Sequence, residues 1–489
     1  MEVYKSMLNT SYEVTYMHLQ IKNMKVMTLI VALALFNFIF LGTEYLFDNM
    51  MSLVTAPSDV IAAQGYILGA SVIGFVLYPL LSVKIPESVH SIAVFAGALA
   101  EIICMFVIWQ RASYLLILIA GCLAYVLIGV AGSALHYRLS HVLECSSLAK
   151  TVAVSYALGI LFQYLNTHLV QNSMAESIVL AVSSAIVAVL MLKAEHEQTE
   201  DIKGTDYVKN LKNPHLSGMA LIAVVMLMTC IFSTLDAAVT LVHVSGNGDV
   251  GNWPRLLLAL SALFAGVLYD ACHQKYMHLI MYGVTVLSTL CIVVMENGGS
   301  FYAGLIVFYL SAGFFVVYFT SSFMKLSYET DLPQLWAGLG RAVNNVCAFI
   351  MSSVSLKLLQ SDNHILRNGT VLLLFVLISA AFYFYVSLMK PAEEKKEVTE
   401  QKDAGMSEKE RLQQFARAFS LTQRETEVLE VLLVSDENVQ EIAERLLISR
   451  AALYRHITSI NEKTNTKSRI GLVQFYYRFE GEGTHEKDT

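Results

Sequence analysis

From Lys25 to Lys390 the chain alternates long apolar runs with short polar breaks. A bilayer crossing needs about 20 mostly apolar residues. The pattern predicts twelve such segments, at 26–47, 61–82, 89–109, 113–135, 151–171, 175–193, 216–237, 253–271, 276–295, 300–322, 335–358 and 369–389. Each is expected to be a helix, because lipid cannot satisfy open backbone groups. The pattern then changes. Residues 390–411 are almost wholly polar and read as a charged linker. Beyond it, short apolar periodicities return with marked helix starts. Thr422 and Glu425 form a T-x-x-E capping box. Val428, Leu429, Leu432 and Leu433 follow at helical spacing, and the polar break Ser435 to Asn438 ends that helix. A second helix turns Ile442, Ala443 and Leu446 inward. Ser449 caps a third over about 450–463, with Leu453, Ile457 and Ile460 on one side and Arg450, Tyr454, Arg455 and Thr458 largely elsewhere. The expected domains are a 1–25 N-terminal segment, a 26–389 membrane domain, the linker, a small helical domain at 412–480 and a disordered 481–489 tail.

Composition agrees with the pattern. Of 489 residues, 55% are hydrophobic and only 15% charged, against about 25% charged in soluble domains. The net charge of −7 is unevenly spread and decides little. The first 24 residues are mixed and polar, so no cleavable leader is expected. Lysines and arginines set an expected orientation. With the N-terminus inside, the inner loops hold Lys84, Arg138, Lys150, Lys193, Lys203, Lys209, Lys212, Lys275 and Lys325, while the outer side holds Arg111, Arg255, Lys357 and Arg367. His136 is placed in a loop beside Arg138. An even number of spans then puts both termini in the cytoplasm, where DNA is, and the chain in the plasma membrane. Trp109, Trp253 and Trp336 fall at segment ends, as interfacial anchors do.

The residues from Leu421 to Arg469 resemble the LuxR/NarL-type helix-turn-helix domain. The resemblance rests on Leu421, Thr422, Arg424, Glu425, Glu427, Val428 and Leu429, on the run Glu441 to Leu446, and on Ser449, His456, Lys463, Ser468 and Arg469. The chain departs from the family pattern at Asp436-Glu437, where Gly is usual, and at Ala452-Leu453-Tyr454, where Thr-Val-Lys is usual. The resemblance implies binding to double-stranded DNA, with a homodimer as the usual bound form. It places Arg450, Tyr454, Arg455 and His456 on the DNA face, and Lys463, Lys467 and Arg469 against the backbone. Arg424 and Arg469 are alternatively expected to hold the domain together through buried ion pairs.

The membrane segments divide six and six at Lys193 to Lys212. Val76-Leu77-Tyr78-Pro79 before Lys84 echoes Val267-Leu268-Tyr269-Asp270 before Lys275, and Arg138-Leu139-Ser140 echoes Lys325-Leu326-Ser327. This pattern resembles the major facilitator superfamily, with Gly266-x-Leu268-x-Asp270 similar to its loop motif. The fold class expected is therefore all-α: a twelve-span facilitator-like bundle followed by a four-helix LuxR-type domain. The whole architecture resembles membrane-bound LuxR-type regulators of gut actinobacteria, which implies sensing of a small molecule.

Ionisable groups at membrane depth are costly and default to functional hypotheses. Glu101, Arg341 with Asn344 and Asn345, and the corresponding Glu44 and Asp236 are the ligand-sensing candidates; interhelical ion pairs or snorkelling are the competing readings. Arg341 needs a partner, either Glu101 or an anionic ligand. In the tenth segment Phe308, Tyr309, Phe314, Phe315, Tyr318 and Phe319 either line a cavity or face lipid. The seven cysteines lie mostly in apolar segments with no C-x-x-C pair, and read as small packing residues. No phosphate loop, nucleophile elbow or zinc spacing occurs, so neither catalysis, metal nor cofactor is expected. Two functions remain: a membrane-embedded transcription regulator, and a transporter with an attached regulatory domain.

Overall fold

A computed structural model describes residues 2–143, 147–170, 172–196, 211, 213–244, 253–271, 277–296, 301–359, 364–389, 408–434, 439–466 and 469–479, with side chains from Met24 onward. Every regular element among them is helical. The chain forms two units, Met1–Ala392 and Glu393–Thr489.

The first unit has twelve helices, one for each apolar segment: α1 Glu2–Ser52, α2 Pro57–Lys84, α3 Glu87–Gln110, α4 Tyr114–Val142, α5 Leu148–Leu169, α6 Ser173–His196, α7 Pro214–Val244, α8 Arg255–Ala271, α9 Met277–Glu296, α10 Phe301–Leu326, α11 Pro333–Leu359 and α12 His364–Met389. Among the described residues eight of them, α1 to α7 and α10, are long and apolar enough to cross a membrane, and α9 and α12 contribute the apolar stretches Met277–Thr289 and Leu372–Leu388. Helix α8, with 17 residues, and helix α11, which carries Arg341, Asn344 and Asn345, complete the twelve.

Two cores match the two halves. One gathers α1 to α6 around Phe36, Phe47, Phe75 and Tyr125; the other gathers α7 to α12 around Phe232, Tyr318 and Phe323 and takes in α5. The halves meet where α2 packs on α11 and α5 on α8. Small residues permit that approach. A Cβ on Gly65 would lie 2.4 Å from the Ser352 hydroxyl on α11, and one on Gly266 would lie 2.4 Å from the Ala153 Cβ on α5.

Several expectations change. Helix α4 runs on to Val142, so His136 and Arg138 are helical rather than in a loop. His136 is buried between Phe36 and Phe75, and Arg138 donates to the Met191 carbonyl at 2.8 Å. Trp336 is no interfacial anchor: it is buried, stacked on Phe323 and packed against Gly218. Five of the six α10 aromatics are buried inside the bundle rather than facing lipid, with Phe315 stacked on Phe232 at 4.5 Å. Arg255, counted on the outer side at the start of its segment, is buried at the start of α8.

The second unit has five described helices: α13 Glu408–Ala418, α14 Gln423–Val434, α15 Val439–Arg445, α16 Arg450–Thr464 and α17 Arg469–Arg478. The last four are the expected helix-turn-helix set. Helix α13 begins within the expected linker and adds Leu412 and Phe415 to a core of Val428, Leu429, Leu432, Ile442, Leu453, Ile460, Leu472 and Tyr476. The rest of the linker and the break Ser435 to Asn438 lie outside the described residues.

Candidate functional site

In the membrane unit the polar face of α11 forms the candidate sensor. Arg341 is buried. Its Nη2 donates to Asn37 Oδ1 on α1 at 3.4 Å. Its guanidinium lies 5.1 Å from the Phe40 ring centre and 5.5 Å from that of Phe319, distances suited to cation–π attraction. Its Nε has no hydrogen-bond partner among the described residues. One turn on, Asn345 donates to the Ser71 hydroxyl on α2 at 2.8 Å, and Asn344 accepts from the Thr229 hydroxyl on α7 at 3.2 Å. Asn344 also donates to the Asn345 side chain at 3.2 Å. This strip therefore joins α1 and α2 of the first half to α7 and α11 of the second.

Among the described residues no carboxylate lies within ion-pair distance of Arg341. Glu101, expected as its partner, faces α6 instead, where Ser184 is placed to hydrogen-bond it. The acid nearest in electrostatic terms is Glu44. Glu44 accepts from Gln64 Nε2 at 2.8 Å and lies within electrostatic range of Asp236 and Arg255. Glu44 and Asp236 thus lie within electrostatic range of each other across the two halves. Asp48 joins them, buried, with Oδ1 lacking a hydrogen-bond partner among the described residues. It was missed by sequence reasoning, although its place one turn after Glu44 on the same helix was a usable signal.

The loop motif of the second half has a definite job. Asp270 at the end of α8 accepts from the backbone N–H groups of Ala149 at 3.2 Å and Lys150 at 2.8 Å. It satisfies orphan donors at the start of α5 and places a carboxylate at that helix's positive end. In the first half Pro79 occupies the matching position, inside α2.

The second unit holds the nucleic-acid candidates. The capping box forms as the sequence implies: Thr422 N donates to Glu425 Oε2 at 2.7 Å, and Glu425 N to Thr422 Oγ1 at 3.3 Å. Ser449 caps α16 by accepting from Ala452 N at 3.2 Å. Helix α16 buries Leu453 and Ile460 and exposes Arg450, Tyr454 and Arg455; His456 is half-buried. Arg455 Nε rests 3.3 Å from the Ala451 carbonyl, leaving an exposed guanidinium on the outer face.

Lys463, expected against the DNA backbone, is engaged within the domain. Its ammonium donates to Glu425 Oε2 at 2.6 Å and to the Ser420 carbonyl at 3.0 Å, tying α16 to the start of α14. The Ser459 hydroxyl donates to Glu425 Oε1 at 2.6 Å. Burial works against the Glu425 charge, but the bonds from Lys463, Ser459 and Thr422 outweigh it and hold the carboxyl down at about 2. Arg424 does not form a buried pair. Its bridge to Glu427 at 2.5 Å is exposed, and its structural work is a 2.8 Å donation to the Leu446 carbonyl. Lys467 and the Arg469 side chain lie outside the described residues.

These two units define a class: a multi-pass membrane protein of transporter-like fold that carries a DNA-binding helix-turn-helix domain. Residues 419–476 match the family of bacterial regulatory proteins, luxR family, known as GerE. Solved structures similar to the chain include a bacterial homologue of the iron transporter ferroportin in an outward-facing state. That match has 15% identity and a TM-score of 0.53, covering 74% of this chain and 99% of that one. The human organic anion transporter MFSD10 (TETRAN) matches at 13% identity and a TM-score of 0.50, covering 75% of this chain and 99% of that one. At such identities the likeness is one of fold alone. No curated protein sequence matches the chain.

Proposed function

We propose that the chain is a plasma-membrane transcription regulator, with both termini in the cytoplasm, whose helix bundle senses a small molecule and thereby controls promoter binding by residues 412–480. The observation that carries this reading is Arg341: a buried, permanently charged group with an unsatisfied Nε and no carboxylate within ion-pair distance among the described residues. An unpaired buried charge is costly. A ligand bearing an anionic or strongly accepting group would recover part of that cost, and more of it in whichever arrangement of the halves brings α1, α2, α7 and α11 together around it. A ligand moves a two-state equilibrium only by its differential affinity, and a swing from mostly off to mostly on needs about 5 kcal/mol. Charge compensation in a desolvated site is an interaction of the right scale. The bias of Lys and Arg toward one set of loops supports the orientation, and a DNA-binding domain has little use in transport alone.

The test is Arg341→Gln. Inserted at normal levels, the variant loses the ligand-dependent change in reporter transcription, while DNA binding by the 393–489 unit is unaltered. A normal response from a well-inserted variant overturns the proposal. Loss of the protein from the membrane assigns Arg341 to folding instead.

A further inference from the structure

A cavity lies apart from the Arg341 cluster, wholly within the first half. It measures about 250 Å³ and is walled by α1, α2, α3, α4 and α6. This exceeds the apolar cavity of about 150 Å³ that suffices to hold benzene. On α3 its lining residues are His90, Ala93, Val94, Gly97, Ala98 and Glu101, which share one face at helical spacing. Eleven steps of 1.5 Å from His90 to Glu101 make that wall about 16 Å long, so the space is slender rather than round.

The polar groups are unevenly placed along it. Ser82, His90 and Arg138 lie toward one end, and Arg138 is held by the Met191 carbonyl. At the other end stands Glu101, 6% exposed, beside Ser184. Its Oε1 is buried and has no hydrogen-bond partner among the described residues. The walls between are aliphatic: Leu77, Leu81, Val94, Ala131 and Val187. A buried acceptor left unmade is costly, and a lipid acyl chain entering this space could not satisfy it.

We infer that the cavity between α3 and α4 is a binding site for a slender apolar molecule carrying a hydrogen-bond donor, a hydroxyl or an amine, with Glu101 as the group that accepts from it. The apolar walls supply affinity in proportion to the area they cover, and Glu101 supplies selection against plain hydrocarbon. The site stands independently of the role given to Arg341, since binding can be read without any transcriptional output.

The experiment photolabels the full-length protein in lipid nanodiscs with three diazirine alkyl probes of equal length, ending in a hydroxyl, a primary amine or a methyl group. The hydroxyl or amine probe labels the α3 and α4 walls about ten-fold more than the methyl probe, the net worth of one hydrogen bond. Glu101→Leu abolishes that preference and Glu101→Gln, which keeps an acceptor, retains it. Gly97→Phe removes labelling by all three probes, because a Cβ there meets nothing within 4 Å and the ring can fill the cavity without displacing the backbone. Equal labelling by the methyl probe overturns the inference and makes the space a lipid-filled crevice. So does a donor preference that survives Glu101→Leu.

Discussion

Glu425→Gln isolates the tie between α14 and α16 in the DNA-binding unit. The carboxylate accepts from Thr422 N, Ser459 and Lys463 at 2.6–2.7 Å. Three good bonds to one charge, rather than one strong pair, are what stabilise the carboxylate form and hold its pKa down. Moving the carboxyl from the ordinary 4.5 to about 2 corresponds to about 3 kcal/mol at 1.36 kcal/mol per pH unit. The Lys463 side chain is 31% exposed, so screening at that end reduces the expectation to about 2 kcal/mol. The sign follows from linkage. A depressed carboxylate stabilises the fold above its unfolded value and loses that contribution as pH falls through its folded value. Parent and E425Q should therefore differ by about 2 kcal/mol at pH 7, and the gap should close between about pH 4.5 and pH 2. Urea denaturation of the 393–489 unit, which has its own core, reads both quantities. A gap that stays constant from pH 7 to pH 2 would show that the glutamate acts by shape alone, and no gap at pH 7 would remove the tie.

Two further outcomes are expected. Arg455→Ala weakens binding to a specific site by about 1–3 kcal/mol if the guanidinium reaches a base edge. If it touches only phosphate, binding falls alike on all sequences and the salt slope shrinks by about one; unchanged binding removes Arg455 from the interface. A reporter active only in the cytoplasm is on when fused after Lys390 and off when fused in the turn 53–56 between α1 and α2, and the reverse pattern refutes the orientation together with access to DNA.

Legibility in the sequence followed the reach of each interaction. Twelve helices could be read because a membrane helix is specified by one continuous run of its own residues. The Thr422–Glu425 box could be read because it closes over three residues. The Lys463 partner could not: Glu425 is 38 residues away, and a basic residue on a helix following a turn looks the same in sequence whether it meets phosphate or a buried acid. Trp336 sits near the start of its segment, where an anchor would, yet a glycine on another helix decides its place: a Cβ at Gly218 would lie 2.2 Å from the Trp336 ring. The extension of α4 over His136 and Arg138 was hidden by the rule that charge ends a span. Here the His136 ring bonds the Gly132 carbonyl at 2.6 Å and Arg138 bonds the Met191 carbonyl at 2.8 Å, so both polar groups stay inside the helix.

Helix α11 shows why a weak membrane segment can be the informative one. It has 27 residues, ample to span, but a guanidinium and two side-chain amides make it less apolar than its neighbours. An exposed arginine and two asparagines on a lipid-facing helix would be expelled or would drag water inward. Here the same residues turn onto α1, α2 and α7, where Asn37, Ser71 and Thr229 meet them, while Ile350 and Val354 on the helix's other side remain exposed. The polar strip thus lies where the two halves meet. Each of its bonds to α1 or α2 crosses between the halves, so any sliding of one half on the other breaks or remakes them. Hydrophobic contacts at the same interface would slide with small change in energy, whereas a buried guanidinium that loses its acceptor incurs the full cost of an unsatisfied charge. That contrast gives α11 the sharp energetic difference between arrangements that a ligand needs in order to bias one of them.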